Sequence, residues 1–225
     1  MIIVKRNILT LFLLTSLVSC GKEKEKSKSA ISINDELEVQ SLEGHYRAII
    51  RPLNNSLSGW IPSGMAQIKI LGDTFEVQTW LEDAASTVHH QNIHLGTECP
   101  ISNDLNSDGF IDVKEMIPTT KEILIPLDDE LDAVAIGMGM YPSGRTYQYS
   151  QQASLAKLIG ELHQTVLSPN KPLKLEGKII LIHGASPASS LPNSVTTIEG
   201  RTAQETVPIA CGVLEKVEIN EIGPQ

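Results

Sequence analysis

The sequence lacks a long apolar run, an excess of basic residues and a high aromatic content, and each absence argues against a class of protein. No apolar stretch reaches the roughly 18 residues of a membrane-spanning helix, so none is predicted. Lys and Arg number 18 against 27 Asp and Glu, a net charge of −9 that disfavours binding to a phosphate backbone. Aromatic residues make up only 4%, which disfavours stacking on single strands. We therefore expect no nucleic-acid partner, but 41% hydrophobic residues allow a buried core.

The N-terminus carries an export signal. Lys5 and Arg6 precede an apolar stretch over residues 8–18 that is too short to span a membrane. It ends in Leu-Val-Ser-Cys-Gly at residues 17–21, which resembles the lipobox of bacterial lipoproteins. The resemblance implies a signal peptide over 1–19, acylation of Cys20, and a lipid anchor in the outer membrane, facing the periplasm or the surface. The alternative is an ordinary secretory signal with a chance cysteine.

The rest of the chain divides into a linker and one domain. Residues 22–29 are charged and free of apolar side chains, which predicts a solvated linker over 20–42 and a folded domain over 43–220. With Cys20 lipidated, two of the three cysteines remain. In an oxidising compartment Cys99 and Cys211 are expected to form one disulfide, and two free buried thiols are the alternative.

Short apolar segments separated by Gly, Pro, Ser and Asn clusters predict an all-β fold. The strongest signal is a hairpin in which 64–71 and 75–81 flank Gly72-Asp73. Only 154–166 has helical spacing. We expect an antiparallel β-sandwich or barrel with long loops. The other predicted strands are 46–50, 93–95, 122–127, 133–140, 178–183 and 207–218.

One loop matches the calcium-binding pattern of EF-hands. Residues 104–115 follow D-x-[DN]-x-[DN]-G-x5-E in full. Gly109 allows the sharp turn, and the segment before residue 104 cannot form a long entering helix. We expect a single structural calcium site within a β-domain, and an acidic surface turn is the alternative. The predicted ligands are Asp104, Asn106, Asp108, the Phe110 carbonyl, Asp112 and Glu115.

Four of the six histidines are candidates for a copper or zinc site. In a strand, His90, Asn92 and His94 would share one face, but residues four apart stand about 13 Å apart, so His90 and His94 could not bind one ion from a straight strand. Either the strand bends near Gln91, or His90 belongs to the preceding turn. His183 ends an apolar strand where it meets a loop. The copper candidates are His94, His183, His90 and His89; each could instead be a hydrogen-bonded structural residue.

Two segments resemble copper/zinc superoxide dismutases. Residues 175–183 and 208–214 are similar to that family's strand ending in a copper ligand and its Ala-Cys-Gly-Val strand. Residues 92–99 resemble its His-Val-His segment followed by a cysteine, and 64–94 is also similar to the CHRD domain pattern. The resemblance implies a Greek-key β-barrel, copper ligation by His94 and His183, and a Cys99–Cys211 disulfide.

The departures from that family argue against full dismutase activity. Asn92 replaces the first histidine of the pair, no histidine lies between His94 and His163, and Pro208 takes the place of the active-site arginine. The bridging and zinc-ligating histidines therefore have no counterpart, and zinc is not expected. We favour a non-enzymatic, lipid-anchored protein that binds calcium and copper. The alternatives are a divergent active superoxide dismutase and a calcium-stabilised surface interaction module, and no protein partner is predicted.

Overall fold

The computed structural model describes residues 33–54, 60–137, 139–168 and 170–218. The predicted signal peptide and lipidated Cys20 lie outside the described residues. The helices are α1 (Ile33–Leu42), α2 (Val113–Thr120), α3 (Leu155–Thr165) and α4 (Ala203–Thr206). The strands are β1 (Gly44–Pro52), β2 (Ser63–Leu71), β3 (Thr74–Glu82), β4 (Gln91–His94), β5 (Ile123–Pro126), β6 (Tyr147–Ser154), β7 (Ile179–His183), β8 (Pro208–Val213) and β9 (Glu215–Val217).

The strands form one curled antiparallel sheet that resembles half of a barrel. Its order is β5-β4-β7-β8-β1-β2-β3-β6, and β9 also pairs with β1. Strand β1 joins two halves of the sheet, β5-β4-β7-β8 on one side and β2-β3-β6 on the other. Its residues Gly44–Ile50 pair with β2, and Arg51 pairs with Cys211 of β8. The prediction of a mainly antiparallel β fold is confirmed.

Side chains link the two ends of the curled sheet. The Tyr147 hydroxyl on β6 donates to the Gln91 side chain on β4, and the Tyr149 hydroxyl donates to the Asp128 carbonyl just after β5. The concave side holds the main core, where Phe75 and Val77 of one half join Ile93 and Ile180 of the other. Curling therefore lets one sheet enclose its own apolar face.

The half formed by β5, β4, β7 and β8 is buried on both faces. All five residues of β7 are buried, and they alternate between the main core and a second cluster on the convex face. In that cluster Ile179 and Leu181 pack with Ile111 and Met116, from the predicted calcium loop and α2. The loop and α2 thus cover strands that would otherwise expose apolar side chains to water.

Several predicted elements need correction. Residues 133–137 and 139–140, which were predicted to lie in a strand, contain turns and irregular backbone, with positive φ at Val134 and Gly137. The predicted strand over 207–218 is two strands, β8 and β9, because Leu214 between them is not in strand conformation. Strand β6 was not predicted, since its residues YQYSQQAS carry few aliphatic side chains.

The predicted linker also ends earlier than expected. Helix α1 occupies its last ten residues, and Leu42 is buried in the core. The Leu42 carbonyl accepts the Tyr46 hydroxyl at 2.8 Å, and Glu38 accepts the Leu173 N–H at 2.6 Å. These contacts extend the folded region back to α1.

Cys99 and Cys211 form a disulfide, as predicted. It joins the loop after β4 to β8 across 112 residues of sequence, with the two Cα atoms 5.9 Å apart. The bond lies beside the convex-face cluster, to which Cys211 belongs. In the described part of the chain no helix is long and apolar enough to cross a membrane.

Replacing Gly96 by alanine should destabilise the fold. A Cβ atom at Gly96 would collide with the Thr119 and Thr120 carbonyl oxygens, so the end of α2 would have to move away from β4. We expect a loss of about 1–3 kcal/mol in the free energy of unfolding, measured by urea denaturation. Gly160→Ala is the matched control, because nothing lies within 4 Å of a Cβ there. Equal effects of the two substitutions would contradict the close contact.

Candidate metal sites

Three of the four copper candidates, His90, His94 and His183, line one cavity of about 100 Å³ on the convex face of β4 and β7. Their placement follows from the pairing of the two strands. Asn92 faces Leu181, His94 faces Ile179, and the His183 N–H donates to the His90 carbonyl at 2.8 Å. Asn92 and His94 alternate along β4 and share a face, and both line the cavity. His90, which directly precedes β4, and His183 line the same cavity.

Hydrogen bonds to backbone carbonyls set the tautomers of His94 and His183. Nδ1 of His183 lies 2.7 Å from the Thr206 carbonyl, and Nδ1 of His94 lies 3.1 Å from the Lys121 carbonyl. A carbonyl only accepts, so both Nδ1 atoms must carry the proton. In each neutral ring Nε2 is then the nitrogen with a lone pair, which is the arrangement a metal-ligating histidine adopts.

Burial keeps both rings neutral. It lowers the pKa of His183 to about 3, an effect reinforced by the neighbouring His94 and His90. Burial also lowers the pKa of His94 to about 4. Both imidazoles are therefore uncharged near neutral pH and are able to bind a metal ion or accept a hydrogen bond.

Two polar atoms of the cavity residues have no hydrogen-bond partner among the residues that the structure describes. They are Nε2 of His94 and Oδ1 of Asn92, and both are buried. A buried acceptor without a partner costs about 1–3 kcal/mol. Because both atoms are acceptors, the group that would satisfy them is a cation or a hydrogen-bond donor.

His90 lies at the same cavity but its Nε2 is engaged. That nitrogen accepts from Nη1 of Arg201 at 2.9 Å, and its ring packs against Tyr141 with the centroids 4.5 Å apart. Burial, and then the Arg201 charge, lower the pKa of His90. As arranged here, His90 would have to lose Arg201 before Nε2 could bind an ion.

The structure separates His89 from the other candidates. Its Nδ1 lies 3.2 Å from the His183 carbonyl, and its Nε2 lies 3.0 Å from the Ala85 carbonyl. The ring stacks on Tyr147 and does not line the cavity. His89 thus holds the loop before β4 against the end of β7.

Three further residues of the cavity were not predicted as site residues. Met116 of α2, Tyr141 and Arg201 all line it. Arg201 lies ten residues before Cys211 in the sequence, so it does not match the arginine position of the dismutase pattern, which is Pro208 here. Met116 directly follows the last residue of the calcium pattern, which is the only sequence signal of its position.

The predicted calcium loop folds onto its own backbone. The Asp104 carboxylate accepts the N–H groups of Asp108 and Gly109, and Oε1 of Glu115 accepts those of Leu105 and Asn106. Carboxylate oxygens have more than one lone pair, so these bonds leave capacity for a cation. Asp112 caps α2 through the Glu115 N–H, and the capping box starts the helix at Val113, within the last three residues of the loop.

Neighbouring segments anchor this loop. Asn54 accepts the Ile111 N–H at 2.7 Å and donates to the Ile111 and Pro208 carbonyls, which ties the loop to β8. The Ser194 hydroxyl donates to the Asp108 carboxylate, and the Thr196 N–H donates to the Asp112 carboxylate. The Ser194 bond comes first among the causes that lower the pKa of Asp108.

Across the described ranges, no three His, Cys, Asp or Glu side chains are arranged so that they could hold one metal ion together. The acidic side chains of the calcium pattern therefore form no such group as arranged here. The histidine cavity offers two imidazoles with a lone pair and a third that is bonded to Arg201.

No known family model matches the chain, and no curated protein is similar to it at a significant level.

Calcium should raise the melting temperature of the purified protein above its value in chelator. A cation would relieve the repulsion among Asp104, Asp108, Asp112 and Glu115, and at about one hundred times Kd it would add about 2.7 kcal/mol. Asp104→Asn should abolish the shift while keeping a side-chain oxygen that accepts hydrogen bonds. Asp83→Asn, an exposed carboxylate outside the loop, is the control. An unchanged melting temperature in wild type would mean that the loop is only an acidic turn.

Proposed function

We propose that this protein is an exported, lipid-anchored, calcium-stabilised domain that binds a copper ion without full superoxide dismutase activity. The observation that supports the proposal is that His94 and His183 line one cavity and that in each ring Nδ1 makes the carbonyl contact, which leaves the lone pair on Nε2. Nε2 of His94 is buried and has no partner in the described part of the chain. A copper ion bound between these nitrogens would supply the missing interaction, and imidazole is a preferred copper ligand.

The resemblance to copper/zinc superoxide dismutases supports the same proposal. The three segments that resemble that family lie on β4, β7 and β8, which are neighbours in the sheet. The Cys99–Cys211 disulfide, which the resemblance implies, links the loop after β4 to β8. We propose a Greek-key, dismutase-like arrangement on this basis.

The composition of the cavity argues against efficient dismutation. Dismutation needs a copper ion that cycles between two redox states, and a neighbouring imidazole that gives and takes a proton. Asn92 stands where that family has a histidine, and an amide is a poor copper ligand. Burial holds the pKa of both remaining histidines far below neutral pH, so neither is a ready proton donor.

One observation favours a divergent active dismutase as a second candidate. Arg201 lines the cavity although it does not occupy the family's arginine position in the sequence. A guanidinium beside the bound ion could attract superoxide, which is an anion, even in a protein of net charge −9. Glu205, which lines the same cavity, would oppose this attraction.

The other parts of the proposal concern calcium and location. Calcium in residues 104–115 would stiffen the segment that covers β7 and leads into α2. The lipobox-like sequence at Cys20 supports anchoring in the outer membrane. If the protein binds no copper, the remaining proposal is that it is a surface interaction module shaped by the calcium loop.

Copper binding should depend on both cavity histidines. We expect the purified protein to bind one copper ion at the cavity, and His94→Ala or His183→Ala to weaken binding by at least about tenfold. His45→Ala is the control, since His45 lies on β1 and does not line the cavity. Isothermal titration gives the stoichiometry and affinity, and far-ultraviolet circular dichroism checks folding. Equal copper affinity of wild type and both variants would refute the copper proposal.

The copper-loaded protein should not accelerate superoxide decay to the extent expected of a dismutase. The measurement is stopped-flow decay of superoxide at equal total copper, with free copper removed by gel filtration. Rapid decay that is lost in Arg201→Gln would favour the second candidate, because that substitution removes the guiding charge and keeps both proposed copper ligands. Slow decay in both proteins supports a role in binding.

A further inference from the structure

The cavity offers few ligand atoms, and their identity restricts the ion. Nε2 of His94 and Nε2 of His183 are the two lone pairs oriented by carbonyl contacts on Nδ1. Asn92 adds an amide oxygen, which is a weak ligand for copper. A four-coordinate site for Zn²⁺ or Cu²⁺ would need at least one more strong nitrogen, oxygen or sulfur donor.

Met116 supplies a sulfur atom to the same cavity. It is buried on α2, lines the cavity, and packs on the convex face with Ile179, the cross-strand partner of His94. Its position is fixed by the first turn of the helix, where the Met116 N–H donates to the Asp112 carbonyl at 2.9 Å. A thioether is a soft ligand, and soft ligands select Cu(I) among the common ions.

Arg201 prevents the third imidazole of the cavity, that of His90, from acting as a ligand. Its guanidinium donates to His90 Nε2 at 2.9 Å, which occupies that lone pair and places a positive charge at the cavity. Glu205 is the only carboxylate among the described residues that line the cavity. It is bonded to the N–H and hydroxyl of Thr202. The cavity therefore offers a divalent ion a single carboxylate, one oxygen of which is already bonded to Thr202, so a monovalent ion is favoured.

From these contacts we infer that the cavity is a Cu(I) site whose ligands are the Sδ atom of Met116 and the Nε2 atoms of His94 and His183. Arg201 prevents His90 from acting as a further ligand and so disfavours Zn²⁺. The inference rests on the proposed function and adds the oxidation state, the third ligand and the origin of the selectivity. It assigns Met116 as a ligand and Arg201 as a specificity-determining residue.

The experiment measures Cu(I) affinity by competition with bicinchoninate under anaerobic conditions, and Zn²⁺ affinity with a zinc-sensitive dye. Thiol reductants are left out so that the Cys99–Cys211 disulfide stays intact. Met116→Leu keeps the volume but removes the sulfur. We expect it to weaken Cu(I) binding by about tenfold or more and to leave Zn²⁺ binding unchanged. Met140→Leu is the control, because Met140 is 76% exposed.

Arg201→Gln tests the other half of the inference. It should release His90 as a nitrogen ligand and strengthen Zn²⁺ binding by about tenfold, which lowers the preference for Cu(I). X-ray absorption at the copper edge should show a sulfur neighbour in wild type and none in Met116→Leu. Thermal unfolding of each variant without metal checks that it folds.

The outcomes distinguish this inference from the proposed function. If Cu(I) binding is lost in His94→Ala or His183→Ala but unchanged in Met116→Leu, with no sulfur neighbour, the copper site stands and its thioether ligand is wrong. If Zn²⁺ affinity does not rise in Arg201→Gln, the arginine does not set selectivity. If neither histidine affects binding of any ion, the proposed function itself fails.

Discussion

Burial of the β5-β4-β7-β8 half on both faces is the constraint on which the rest of the structure depends. The concave face is enclosed by the curl of the sheet, but the convex face needs a separate cover. The calcium-type loop and α2 provide it by packing Ile111 and Met116 on Ile179 and Leu181. Without that cover, β7 would expose a continuous apolar surface to water.

The cover also builds the histidine cavity. Helix α2 begins at Asp112 inside the loop, and the carbonyl of its C-cap residue, Lys121, fixes the tautomer of His94. The 194–206 segment bonds to the loop through Thr196, and its Thr206 carbonyl fixes the tautomer of His183. The two candidate metal sites therefore share their supporting elements. Each histidine is neutral because the cover that orients it also excludes water.

The elements that could be predicted are those whose side chains pack locally. Alternation of apolar residues located the β2–β3 hairpin, and helical spacing located α3. Strand β6 was not predicted, because its residues form a strand through their pairing with β3 and not because of their own composition. Helix α1 lacks a clear apolar face, and its packing near Leu173, 135 residues away from Glu38, is a long-range contact that no local pattern records.

The sequence by itself determined the antiparallel β architecture, the pairing of the two cysteines and the shared face of His90, Asn92 and His94. These follow from side-chain alternation and from the count of cysteines. Only the tertiary structure decided that His89 does not line the cavity with the other candidate histidines, that Arg201 donates to His90, and that Met116 lines the cavity. Apart from the bond between His89 and Ala85, these contacts join residues more than twenty positions apart, and they depend on how loops and α2 fold over the sheet, which local periodicity does not encode.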